Sequence, residues 1–323
     1  MTARTTTRAK ALDCAFSLLA RESLLHISVP DSLTFLHGQT TCDTRDVGSL
    51  RAVPGVYCTP KGRTVADFLL VAMGEEQFAL RMRRDIVATA ATVLGKYIVF
   101  SKAELAPADE AWQVAACWGS DAASVLAGIF DSVPQGRYAC AAGAHYRLIQ
   151  MDEAGTQFEC YLHRDSDLAT QLARACHVGE PGDWEAAQIA AGIARIEAST
   201  VEEFIPQMLN YDLTGFISFT KGCYTGQEVV ARLHYRGKPK RRSYAGTVAA
   251  GTAPAPGTPL FTSGADQSVG NIVNACSDGH GIIRVLACAT ADGATAGLHL
   301  ADSEGPEITL AELPYPLVDP DAD

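Results

Sequence analysis

Among ten cysteines, at positions 14, 42, 58, 117, 140, 160, 176, 223, 276 and 288, no two stand in C-x-x-C spacing. That absence removes the common zinc and thioredoxin-type motifs. The cysteines then read as reduced thiols of a reducing compartment, most of them small core residues. No H-E-x-x-H, no G-x-G-x-x-G after a strand and no G-x-x-x-x-G-K-[ST] occurs, so metalloprotease, dinucleotide and P-loop sites lack support and no resident metal is expected. No apolar run approaches the roughly 18 residues a membrane helix needs, and no basic, apolar, small-residue series marks a signal peptide. The expectation is a cytoplasmic protein with no membrane partner. Residues 1–10 are rich in Thr and Arg without an acid, weakly like a mitochondrial presequence, and are read as a frayed terminus.

Positive charge is also scarce. Lys and Arg number 26 against 37 Asp and Glu, a net charge of −11, so the average surface repels nucleic acid and any polyanion must meet a local patch. Aromatic residues make up 7% and form no stacking array, which argues against an RNA-reading sheet. What is present is an ordinary folded composition, 47% hydrophobic and 20% charged over 323 residues, enough for two or three domains.

The pattern along the chain predicts an α+β fold. LLHISV (24–29) reads as a strand and Pro30-Asp31 opens a short helix reaching Gly38. VPGVYCTP, TVADFLLVAM and QFALRM, separated by Pro60-Lys61-Gly62 and Gly74-Glu75-Glu76, read as an antiparallel meander. A helix is expected at 85–96, and KYIVFSKAEL is expected to return to strand. After a polar break at 107–110 the same grammar recurs: WQVAACW, a helix at 120–130, HYRLIQM, QFECYL, and helices at 166–177 and 183–193. Beyond Ser243, short runs separated by Gly, Ser, Asp and Pro read as a small β-barrel. The expected domains are 1–107 and 108–242, two α+β subdomains, with 191–242 packing back on the first, and a C-terminal antiparallel barrel at 243–323.

The run Lys221-Gly222-Cys223-Tyr224-Thr225-Gly226-Gln227-Glu228 sets one cysteine between glycines, beside a lysine, at the start of a helical pattern. A nearby cation and free backbone N–H groups stabilise a thiolate, so Cys223 is the candidate reactive residue. Four residues on, Arg232–Arg242 (RLHYRGKPKRR) holds six Lys or Arg and no acid. It reads either as a solvated connector, given Gly237 and Pro239, or as a basic rim for an anionic ligand. His37 and His234 could serve the thiol as bases, although a lone His is more often structural. Cys42 reads as a partner for Cys223 or as a buried small residue.

KGCYTGQE, with FLHGQTTCD (35–43), TPKGRTVADFLLV (59–71), KYIVFSK (96–102) and EFIPQMLNYD (203–212), resembles the YgfZ proteins, folate-binding relatives of the glycine-cleavage T-protein, over nearly the whole chain. The resemblance implies two α+β domains in a ring with a C-terminal barrel, bound tetrahydrofolate, and a role in maintaining iron–sulfur enzymes such as a tRNA methylthiotransferase. It assigns activity to Cys223 and matches Lys221, Tyr224 and Gln227 to its neighbours, Arg232 and Arg236 to basic positions, and Gln39 to a Gly-Gln pair at the central hole. Gln39 would serve a ligand or bind backbone. Glu197, in RIEAS, falls where the T-protein relatives hold the pterin, and a carboxylate suits the parallel N–H donors of an aminopyrimidine. Its plain reading is an exposed acid at a helix end.

T-proteins transfer an aminomethyl carbon with an aspartate in an Asn-containing segment. The matching LRMRRDIVATAATV has no Asn, and its only acid, Asp85, lies nearer the strand end, which argues against that transfer. The leading reading is a folate-dependent accessory protein for iron–sulfur assembly or repair and, through it, tRNA modification. Two alternatives stand beside it: a one-carbon transferase using Cys223 in place of the aspartate, and a non-catalytic module docking tRNA or a client protein.

Overall fold

A computed structural model describes residues 12–28, 30–99, 101–106 and 111–317. The Thr- and Arg-rich residues 1–10 and the expected break at 107–110 lie outside the described residues. After β1 (Ala15–Leu18) come β2 (Glu22–Ser28), α1 (Ser32–Gln39), the meander β3 (Val53–Cys58), β4 (Thr64–Gly74) and β5 (Gln77–Arg83), then α2 (Val87–Ile98) and β6 (Glu104–Ala106). The sheet order β3-β4-β5-β2-β6 follows from turns where the sequence placed them. β4 shows why its apolar run is continuous: Phe68 and Leu70 enter the core shared with α2, while Leu69, Val71 and Met73 enter the core between the sheets.

The strand expected from KYIVFSKAEL is mostly absent. Val87, Ala90 and Leu94 are buried and Ile98 packs on the same core, a helical spacing that carries α2 through Ile98 and leaves only Glu104–Ala106 to pair with β2.

The second half forms β7 (Trp112–Trp118), α3 (Ala122–Ala127), β8 (Cys140–Gly143), β9 (Tyr146–Gln150), β10 (Gln157–His163), α4 (Leu168–Ala175), β11 (His177–Val178) and α5 (Pro181–Ala190). Its sheet runs β11-β1-β7-β10-β9-β8. β1, a strand the sequence reading passed over, belongs here, paired antiparallel to β7 and parallel to β11. The second sheet therefore draws on chain from both sides of the first. Residues 191–226 form loops and two short 3-10 helices (Ala198–Thr200 and Pro206–Leu209) before α6 (Gln227–Arg236), and Ala194, Ile196, Phe204, Tyr211, Phe216 and Val230 join the first sheet's core. The chain ends in β12 (Arg241–Val248), β13 (Pro259–Phe261), β14 (Gly270–Ser277), β15 (Ile283–Thr290), α7 (Ala291–Ala296), β16 (Leu298–Leu300) and β17 (Glu307–Leu310). Its strands close as β12-β15-β14-β13-β16-β17, so the expected α+β fold with a C-terminal antiparallel barrel is the fold observed.

The parts meet at buried charges. Arg81 on β5 reaches across to Glu159 on β10 with two contacts of 2.8 Å. Arg195 binds Asp67 on β4 at 2.6 Å and Glu22 on β2 through both terminal nitrogens at 3.1 and 3.0 Å. Its backbone N–H donates to Asn274 Oδ1 of the barrel at 2.8 Å. Each of these charged side chains is more than nine-tenths buried, and an ion buried without its partner is costly.

Arg195→Met, which strips Glu22 and Asp67 of a shared cation, is expected to lower stability by about 3–5 kcal/mol, read as a fall in the urea unfolding midpoint. A loss below about 1 kcal/mol contradicts the role assigned to Arg195. Burial alone would raise the Glu22 carboxyl, but Arg195, Arg83 and Arg81 hold it down at about 2, against 4.5 when unpaired. This contribution is complete above pH 4.5 and is lost as pH falls toward 2.

Candidate functional site

The motif loop is fixed by what its neighbours bind. Lys221 is buried, and its ammonium donates to the carbonyls of His37 and, at 2.6 Å, Thr40, at the C-terminal end of α1 where carbonyls lack helical partners. The same ammonium lies 4.9 Å from the Tyr224 ring centroid. Burial pushes the Lys221 amine down to about 8. Its hydrogen bonds go to α1, and its charge also acts on Cys223, two positions on.

The Gln39 Oε1 accepts from Thr225 Oγ1 of the motif loop at 3.2 Å. Gln227 turns back so that its Oε1 accepts from the Tyr224 N–H at 3.3 Å, closing the loop at the start of α6. Gly226 has φ +84°, and a Cβ there would lie 2.5 Å from Thr59 O. Gly62, at φ +71° in the β3–β4 turn, faces Val229 of α6, whose side chain would lie 2.8 Å from an added Cβ. Only glycine satisfies both the left-handed backbone and the close approach.

Between these ties Cys223 alone of the ten cysteines is exposed. The His37 ring faces the motif, its Nε2 3.5 Å from where a Cβ on Gly222 would sit. Its Nδ1 lies 3.4 Å from Thr44 Oγ1 and 3.6 Å from Asp43. Burial, then the Lys221 ammonium, pushes the imidazole's pKa down, so a neutral base stands next to the cysteine loop. Cys42 is a core residue against Gly55, its thiol pushed up to about 11 by burial. His234, the other candidate base, stacks on Phe219 with ring centroids 3.6 Å apart.

The remaining candidates stand elsewhere. Arg232 and Arg236 are exposed one turn apart on α6. The basic run is not one flexible connector, because α6 carries it to Arg236 and β12 takes up Arg241 and Arg242. Arg242 is held bidentately by Asp212 at 2.6 and 3.0 Å. Glu197 is buried rather than exposed. Its carboxylate accepts from Arg21 Nη2 at 2.6 Å and from Asn274 Nδ2 at 3.0 Å, partners that nothing in the sequence singled out. Asp85 accepts from the N–H of Ala198, next to Glu197, at 2.9 Å. A cavity of about 510 Å³ between the sheets is lined by residues flanking Arg21, with Arg84, Trp112 and Arg164 on its walls.

No protein-family model matches the chain. It is 31% identical over 304 residues to the tRNA-modifying protein YgfZ of Yersinia pseudotuberculosis, covering 92% of this chain and 91% of that one. It is 30% identical over 295 residues to the protein of the same name in Pectobacterium carotovorum, covering 90% and 88%. The solved structure of the glycine cleavage system aminomethyltransferase T from Bartonella henselae shares the fold with a TM-score of 0.74 at 14% identity, over 94% of this chain and 86% of that one.

Gly226→Ala is expected to cost about 1–3 kcal/mol in thermal or urea unfolding, since the substitution meets both a strained backbone and Thr59 O. Brief iodoacetamide treatment of the native protein, followed by peptide mapping, is expected to label Cys223 well ahead of the eight buried cysteines. Equal labelling would remove Cys223 from its place as the presented thiol.

Proposed function

The chain belongs to the YgfZ family, and on that premise we propose that it acts in tRNA modification as a folate-binding accessory protein of iron–sulfur enzymes, with Cys223 as its working thiol. The observation that carries this reading is the presentation of Cys223. Lys221, Tyr224, Thr225 and Gln227 are tied into the loop by hydrogen bonds or ring contacts, and between them Cys223, alone of the ten cysteines, faces solvent. A merely structural cysteine has no need of exposure. The His37 ring faces the neighbouring Gly222, and in this reading it takes the proton of the Cys223 thiol, whose thiolate then attacks an electrophile or ligates a soft metal. Its partner in this reading is a client enzyme such as a tRNA methylthiotransferase, docked against the exposed Arg232 and Arg236 face.

Glu197 supports the folate part of the proposal through the group that now occupies it. Arg21 offers the carboxylate a planar edge of N–H donors, as the aminopyrimidine edge of a pterin does, and its side chain is 50% exposed. We assign reduced folate to the cavity lined by Ala20 and Glu22 on either side of Arg21, with the pterin taking the place of the Arg21 guanidinium against Glu197. Asn274 holds the second oxygen in position. Trp112 gives an aromatic wall, and Arg84 and Arg164 give cations for the folate carboxylates.

Isothermal calorimetry with tetrahydrofolate tests this directly. Glu197→Ala is expected to weaken binding by about 1.5–3 kcal/mol, the range for hydrogen bonds to a charged group. Arg21→Ala is expected to tighten binding, because it vacates the acceptor. Unchanged affinity in both variants would place the folate away from Glu197, and absence of binding to the parent protein would remove folate from the account.

A further inference from the structure

Three thiols far apart in sequence meet at one end of the second sheet. Cys14 leads into β1, Cys117 lies on β7 opposite Phe16, and Cys176 follows α4 and leads into β11. Their sulfurs are 3.3 Å (Cys14 to Cys117), 3.0 Å (Cys14 to Cys176) and 3.9 Å (Cys117 to Cys176) apart. Among the described residues this is the one group of three metal-ligating side chains whose donor atoms all lie within 4.8 Å of one another. The backbone sets the convergence: His177 N–H donates to Cys14 O at 3.0 Å, and Ala15 pairs with both His177 and Trp118.

The geometry suits a soft cation. A tetrahedral ion with metal–sulfur bonds of about 2.3 Å holds thiolates roughly 3.8 Å apart; Cys117 and Cys176 already stand near that distance, and the Cys14 sulfur has to move outward by about 0.5–0.8 Å. Thiolate sulfur selects thiophilic ions over magnesium and calcium, which take oxygen. Cys14 and Cys117 are fully buried, walled by Phe16, Leu126, Phe158 and Leu172, while Cys176 is half-buried and gives a path from solvent.

We propose that Cys14, Cys117 and Cys176 form a zinc site with three thiolate ligands and a water at the fourth position, on the Cys176 side. Binding forms three zinc–sulfur bonds and releases the protons of the ligating thiols to solvent, with no change of oxidation state. The site ties the N-terminal strand and α4 to the centre of the second sheet. This revises the sequence-based expectation of no resident metal, which rested on short spacings, whereas these residues are separated by 103 and 59 positions.

The test uses the full chain, purified under reductant, given one equivalent of Zn²⁺ and desalted. About one zinc per chain is expected to remain, and Co²⁺ in its place is expected to give the intense near-ultraviolet charge-transfer bands of a thiolate-rich tetrahedral site. Cys176→Ser is expected to lose the bands and most of the metal, and Cys223→Ser to keep both. Protein that desalts free of zinc overturns the proposal. So does loss of zinc in Cys223→Ser, which would mark exposed-thiol chelation, or a Cys14–Cys176 disulfide in the intact native protein. Should Cys176→Ser fail to fold, the parent protein's cobalt spectrum decides, and bands of a sulfur-poor site overturn the assignment.

Discussion

Arg195 and the acids around it are the constraint on which the rest of the structure depends. Its side chain joins two strands of the first sheet through Glu22 and Asp67, and its backbone is read by Asn274 of the barrel. Asn274 also holds Glu197. Arg81, beside this centre, makes the bridge to Glu159 of the second sheet. Buried ion pairs add little net stability relative to apolar side chains of the same shape, but each becomes a liability when its partner moves. The network therefore fixes the relative placement of the two sheets and the barrel more than it deepens the energy minimum. Because the acceptor for Arg21 is set by the same centre, a ligand replacing Arg21 would meet a carboxylate already oriented.

The cysteine loop is held by a different device. The loop that carries Cys223 is positioned by a buried lysine on the open end of α1, by an amide that closes on its own backbone, and by two glycines that let α6 and the β3–β4 turn touch. Such a loop presents its thiol with little conformational entropy left to lose on meeting a partner. Lys221 thus acts on the position of the thiol through α1.

Much of the fold was legible in the sequence, because period-two runs bounded by Gly, Pro and Asp mark the meander and the barrel strands. The strand predicted from KYIVFSKAEL was misread because its apolar residues also fit a helix, and the core under α2 decided between the two periods. β1 is four residues long and carries too short a pattern to be seen. At the site, the motif revealed Cys223 and its neighbours but not their geometry: that Lys221 ties the loop to α1 and Gln39 meets Thr225 is set by packing. Arg21, Asn274 and the thiol cluster are products of long-range packing, with partners more than fifty residues away, and no local pattern announces them.

The central claim is that this scaffold exists to present Cys223 to a tRNA-modifying partner. The most direct measurement is nucleoside mass spectrometry of tRNA from cells lacking the gene and supplied with either the parent protein or Cys223→Ser. The account predicts that methylthiolated nucleosides return with the parent protein and stay depleted with Cys223→Ser, at equal protein abundance and an unchanged unfolding midpoint. Full restoration by Cys223→Ser would contradict it.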